Sequence, residues 1–282
     1  MSRFWIRAAA AAPDTADLFI YAAIGREYQD GLGAREVIDA LRGLPQSTRT
    51  IRVHVNSLGG SPFEAVAIAN VLRDQRTTHG RAVVTIVEGI AASAATVITS
   101  AGRPVQIWDD ALMMVHDPIA PTLGNAREYR EMAAALEAVT EQILAAYRWI
   151  SPKTTEALRA LMAATTWMDA DDALRNGLAT EKVPASVAIA ASACAPELLA
   201  RLGEIPDRYR RRLDALARPA QPGQGLDVGA VYAARRAGDP VPHQAAARRP
   251  GSIGQLVQRY YGAGVGDVGD VLLRASARGG VE

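Results

Sequence analysis

The chain reads as an α/β protein, because stretches with the two-residue alternation of strands take turns with stretches of helical period. Three observations carry this. Ile51, Val53 and Val55 alternate with Arg52 and His54; Ser61-Pro62-Phe63-Glu64 has the form of a helix start; and Ala82 to Val87 is a short apolar, β-branched run.

Taken in order, Met1 to Pro13 reads as a strand and linker, since its apolar stretch between Arg3, Arg7 and Asp14 is too short for a signal peptide. Leu18 to Ala23 is expected as a strand, Gly33 to Leu41 as a helix and Ile51 to Val55 as a strand. The next helix starts with Ser61 as N-cap, Pro62 at the first helical position and Glu64 reaching back to the cap, and continues through Ala65, Ile68, Ala69 and Leu72. Ala82 to Val87 is then a buried strand, Ser93 to Ala101 a short helix, and Val105 to Trp108 and Leu112 to Val115 two further strands. From Asn125 to Trp149, apolar residues recur at Met132, Leu136, Val139, Ile143, Leu144 and Tyr147, the stripe of a long helix that projects or packs on a partner. A second helix is capped at Ser151-Pro152 and a third runs from Asp169 to Gly177.

Composition bounds the function. The 282 residues carry a net charge of +1, which gives no global case for nucleic-acid binding. The single cysteine, Cys194, excludes an intrachain disulfide framework and fits a reducing compartment, so a cytoplasmic protein is expected. Glu88 and serines break the longest apolar stretch, near Ile90, so no segment reaches the ~20 residues of a membrane helix. Residues 1–200 hold 18 basic and 22 acidic residues, net −4, whereas 201–282 hold 13 and 8, net +5. The expected organisation is therefore an N-terminal segment (1–14), a folded domain (15–200) and a basic Arg/Gly/Pro-containing tail (201–282), with weak helical periodicity near Ile205 to Leu216 and Ile253 to Tyr261.

Ser93 stands among small residues where a buried strand runs into a helix, a place suited to a nucleophile. Read alone, it is equally a small residue easing helix packing, Asn56 to Gly60 is a turn before a helix, and His116 is a satisfied strand-end histidine. The order of the motifs favours chemistry. Asn56-Ser57-Leu58-Gly59-Gly60-Ser61, Gly89-Ile90-Ala91-Ala92-Ser93-Ala94-Ala95, Met113-Met114-Val115-His116, and Trp167-Met168-Asp169-Ala170 ending in Asn176-Gly177-Leu178 resemble, in series, the motifs of Clp-type serine proteases over about residues 15–185. Within that family they resemble the phage and prophage branch of ClpP-like head maturation proteases.

The resemblance implies a ClpP/crotonase-like spiral of βαβ units with a protruding long helix. It implies a serine endopeptidase with Ser93 as nucleophile, His116 as general base, the Gly59 and Ala94 amides as oxyanion donors, and Gly60 and Ser61 receiving substrate as an added strand. No cofactor or metal is implied; His54, His79 and His243 lack a metal-site context. The implied partners are protein or peptide substrates, in a prophage the capsid and scaffold proteins, together with copies of the same chain in a ring joined through the long helix; an unfoldase partner is left open. Thr165 falls where the family places the acidic residue that orients the histidine. Three readings follow: a Ser-His dyad with Thr165 as orienter, substitution by Asp117, Asp169 or Asp171, or impaired catalysis. In the last case the chain is a structural or capsid-assembly scaffold protein. Acyl-thioester chemistry, which crotonase-type enzymes perform on the same layer fold, is disfavoured by the Ser-His pair. No Asp or Glu is expected within hydrogen-bond reach of the His116 ring.

Overall fold

The computed structural model describes residues 4–8, 14–28, 31–120, 123–185 and 205–210. Strand β1 (Phe4–Ala8) pairs antiparallel with β2 (Thr15–Ile20), and helix α1 (Ala34–Arg42) leads into β3 (Thr50–Ser57), parallel to β2. Helix α2 (Pro62–Thr77) crosses to β4 (Ala82–Ala92), parallel to β3, and α3 (Ala94–Thr99) starts directly beyond it. Strands β5 (Val105–Trp108) and β6 (Leu112–Val115) both lie parallel to β4. Helices α4 (Ala126–Arg148) and α5 (Thr155–Ala163), strand β7 (Thr166–Met168), helix α6 (Ala170–Arg175) and strand β8 (Glu181–Val183) complete the order. The sheet runs β1-β2-β3-β4-β5-β8, with β6 on the second half of β4 and β7 antiparallel to β6. This is the expected α/β spiral.

The main core lies where Leu18, Ile20, Ile51, Val53 and Val55 meet Val37 and Leu41 of α1, Ile68 and Leu72 of α2, and Val97 and Ile98 of α3. Each such side chain contributes about 1.5–3 kcal/mol by leaving water. A second cluster, around Leu58, Ile90, Leu112, Met114 and Trp167, lies beneath the ends of β3, β4 and β6. Tyr209 packs onto Trp167 with ring centroids 6.4 Å apart, and residues 207–210 form a helical turn. The remainder of the periodic stretches near 205–216 and 253–261 lies outside the described residues.

Three expected boundaries move for electrostatic reasons. Strand β2 begins at Thr15 rather than Leu18, because Asp17 is held by Arg52 (Nε to Oδ1, 2.6 Å; Nη2 to Oδ2, 2.8 Å). Strand β4 runs on to Ala92 rather than ending at Val87, because the Glu88 carboxylate accepts from Tyr21 and pairs with His54 Nδ1 at 2.8 Å. Helix α5 is capped by Thr154, whose Oγ1 accepts from Ala157 N, while Ser151 instead donates to Asn176 O. The three-residue strands β7 and β8 are absent from the sequence reading because they are shorter than either period requires.

The Ser61 cap is half of the expected box. Its Oγ accepts from Glu64 N, but its own N–H donates to Ile24 O, so Glu64 is free to turn elsewhere. Glu64 Oε2 accepts from Ala34 N at 2.6 Å and thereby caps α1, whose N-cap, Gly33, has no side chain. Asn125 does form a full capping box with Glu128 at the start of α4. Residues 126–138 of that helix are exposed but for Met132 and Leu136, and burial begins at Val139, so its first half protrudes. Among the described residues no helix is long and apolar enough to cross a membrane.

Two expectations follow. Glu64→Ala removes the cap of α1 from another element and lowers stability by about 1 kcal/mol, read as a lower midpoint in urea. In the buried network, desolvation opposes the charged His54 ring, yet Glu88 and Asp17 outweigh it and raise its pKa from 6.5 to about 9. The folded state therefore binds that proton more tightly than the unfolded chain, and the contribution is complete below pH 6.5 and lost as pH rises through about 9. Unfolding free energy should fall across that window, and His54→Gln should flatten the slope while removing a cation from beside Glu88, at a cost of about 3–5 kcal/mol.

Candidate active site

Strand β4 changes partners along its length. Thr85 to Val87 pair with β5, whereas Ile90 to Ala92 pair with β6, and the β3–β4 register shifts between Val55 and Ser57. Asn56 holds the shift, its Oδ1 accepting from Ile90 N at 3.2 Å. A Cβ on Gly89 would stand 2.7 Å from that oxygen, so only glycine fits. The shift brings three strand ends together: Ser93 follows β4, His116 follows β6, and Gly59 lies two residues beyond β3.

Ser93 occupies an unusual backbone conformation, φ +54° and ψ −127°, with its N–H donating to Met114 O at 2.8 Å. Such a conformation costs about 1–3 kcal/mol and is sustained by its surroundings. Its Oγ lies 2.7 Å from His116 Nε2. Burial holds the His116 ring below its ordinary pKa, although Asp117 pulls the other way. The ring is thus a neutral base near pH 7, and with its proton on Nδ1 it accepts the Ser93 hydroxyl proton at Nε2.

Gly59, at φ +91°, approaches the serine so closely that a Cβ there would meet Ala92 O at 2.5 Å and Ala94 N at 2.9 Å. Ala94 opens α3, where the helix has no acceptor for its backbone N–H. Gly59 N–H is turned to Ser57 Oγ at 3.2 Å, and Ser57 donates onward to Ala22 O. Gly60 forms a parallel bridge with Ile24 that uses Gly59 O and Ser61 N. The N–H and C=O of Gly60 itself are therefore directed to the opposite edge.

Gly60, Pro62, Ser93, Ala94 and His116 line a cavity closed by Tyr28, Leu58, Pro118, Ile119, Ile143 and Tyr147. Ser61 is not among the lining residues; it is engaged as the cap of α2. Tyr147, read in the sequence only as part of a packing stripe, reaches the cavity because its hydroxyl hydrogen-bonds with Thr96 (2.6 Å), which ties α4 to α3. Ser57 carried no signal beyond its place before Gly59.

Thr165 stands just before β7. The β6–β7 register pairs Val115 with Thr166, so one further step sets Thr165 opposite His116. Thr165 has φ +49°, rare for a β-branched residue, and its N–H donates to Met162 O at 2.9 Å. Among the described residues its hydroxyl makes no hydrogen bond to the His116 ring, and neither does any carboxylate. Asp169 caps α6 through Asp172 N at 2.8 Å, Asp171 pairs with Lys182 at 2.5 Å, and Asp117 is exposed. Among the described residues no three His, Cys, Asp or Glu side chains gather so as to hold a metal ion.

A family model described as Clp protease matches residues 15–185. The chain is 34% identical over 143 residues to the ATP-dependent Clp protease proteolytic subunit of Streptococcus gordonii, an alignment covering 48% of this chain and 69% of that protein. Over the same shares it is 31% identical to the subunit of that name from Streptococcus mutans and 32% identical to one from Streptococcus pneumoniae.

Burial of His116 is expected to show as an imidazole titration below pH 6.5 in a histidine NMR experiment on the full chain. A midpoint above that value would mean that a carboxylate dominates the ring.

Proposed function

Because the chain belongs to the Clp protease family, we propose that it is a serine endopeptidase that cleaves protein substrates through an acyl-enzyme. The observation that carries this reading is the 2.7 Å contact of Ser93 Oγ with His116 Nε2 at the start of α3. Ser93 Oγ attacks the scissile carbonyl carbon as its proton passes to His116 Nε2. His116 then protonates the leaving amine, and water resolves the ester by the same proton path in reverse. The Ala94 amide, and the Gly59 amide once it leaves Ser57, donate to the developing oxyanion. An extended substrate adds as a strand along Gly60, between Pro62 on one side and Pro118 and Ile119 on the other. The pair works as a dyad, with Thr165 in the place of the acid. No metal or cofactor enters these steps.

The chain assembles with its own copies through the protruding half of α4, where Tyr129 is exposed and Met132 and Leu136 are half-buried. Its substrates are the scaffold and capsid proteins of phage head maturation, which suits the resemblance of its motifs to that branch. A second reading is favoured by the missing carboxylate beside His116: a catalytically impaired member of the family that serves as a capsid-assembly scaffold.

A serine-directed fluorophosphonate separates the two. Stoichiometric labelling at Ser93, abolished in His116→Ala, is expected of the protease; assembled protein that takes no label leaves the scaffold reading. Thr165→Asp suits the left-handed backbone better than threonine and sets a carboxylate opposite His116. It should raise peptide turnover by about tenfold or more, since loss of the acid in a full triad costs about 10⁴-fold.

A further inference from the structure

Away from the cavity, two arginines lie against one indole and a third, Arg76, is close enough to feel the charge of Arg103. The guanidinium carbon of Arg73 lies 5.5 Å from the Trp149 ring centroid and that of Arg103 lies 5.3 Å from it, both within cation–π range. Arg76 stands one turn beyond Arg73 on α2. Capping explains part of the group: Arg73 Nη2 donates to Ser100 Oγ (2.8 Å) and Ala146 O (3.3 Å), and Arg103 donates to Trp149 O, closing the C-terminal ends of α3 and α4.

Capping leaves a remainder. Of the five buried side-chain polar atoms that lack a partner among the described residues, three are here, namely Arg73 Nε, Arg76 Nη1 and Trp149 Nε1, and all three are donors. The nearest carboxylate in sequence, Asp74, accepts from Thr78 (2.6 Å) and pairs with His79 (3.5 Å) instead. Among the described residues none of the three guanidiniums has a carboxylate partner. Burial, and for Arg76 also the charge of Arg103, disfavours the protonated form of Arg73 and Arg76, so the cations stand together against both desolvation and repulsion. An acceptor carrying negative charge would satisfy the donors and relieve both costs.

We propose that Arg73, Arg76, Arg103 and Trp149 form a binding site for an oxyanion of the phosphate or carboxylate type, carried by a free small molecule. The planar forks of the arginines match such an anion bidentately, and the indole N–H adds a neutral donor. The site is separate from the cavity at Ser93, and binding there does not depend on hydrolysis.

The test uses the full chain with inorganic phosphate and pyrophosphate, titrated by calorimetry against sodium chloride at equal ionic strength. Saturable binding of one anion per chain is expected, with a rise in melting temperature that chloride does not reproduce. Arg76→Gln, which removes no cap, should melt like the parent in chloride and bind either anion about tenfold more weakly, the loss of one charged hydrogen-bond partner. Arg103→Gln should weaken binding similarly. The proposal is overturned if the response tracks ionic strength alone, or if Arg76→Gln binds as the parent does. It is equally overturned if the parent binds neither anion while Arg76→Gln lowers the assembly mass in light scattering, which would assign the donors to a carboxylate of a second copy.

Discussion

The change of partner along β4 is the constraint on which the rest of the site depends. A strand of eleven residues that kept β5 throughout would carry Ser93 away from β6 and His116. By pairing first with β5 and then with β6, it sets its own end beside the ends of β3 and β6. The device needs a register shift against β3, an asparagine at 56 to receive the Ile90 amide, and a glycine at 89 to let that side chain approach. A charged residue, Glu88, also lies within the sheet between the two pairings. Tyr21 and His54 satisfy Glu88, so a buried charge that would cost several kcal/mol alone is tolerated.

Hydrogen-bonding groups are shared across elements in the same way. The Ser61 amide closes the bridge to Ile24, which frees Glu64 to cap α1. Ser57 holds the Gly59 amide while donating to Ala22 O. The Gly59 amide, proposed above as an oxyanion donor, is therefore engaged within the protein, by a neutral hydroxyl 3.2 Å away. An oxyanion is a stronger acceptor than that hydroxyl, since charge-assisted hydrogen bonds are roughly twice as strong as neutral ones. On that proposal, exchange of partners favours the charged transition state over the ground state, the differential binding that catalysis requires.

Much of this was legible in the sequence, and the exceptions have physical causes. The alternation at Ile51 to Val55, the long stripe of α4 and the Asp169 cap are local signals, and local structure follows them. Ser93, His116, Gly59 and Ala94 are recognisable as a set only through the order of their motifs, because each alone has an ordinary structural use. What stayed hidden depends on contacts between distant segments. Glu88 reads as a break, and Asp17 falls outside the expected strand, until Arg52, His54 and Tyr21 are seen beside them. Tyr147 reads as core until Thr96 draws it to the cavity. The role of Glu64 depends on a bond made by Ile24, forty residues away.

Thr165 shows why the residue opposite His116 can vary while the architecture stays intact. With the imidazole neutral at rest, a carboxylate there has no charge to meet, and the Ser93–His116 contact forms without one. A carboxylate at 165 would act only once the proton had moved and the imidazolium needed compensation, which is a property of the transition state. Threonine therefore leaves the fold, the cavity and the Ser-His geometry undisturbed. Without the acid, the oxyanion donors and substrate binding still sustain about 10³–10⁴-fold catalysis over water in the worked serine-protease case. The two proposed functions thus share one structure and differ in a rate.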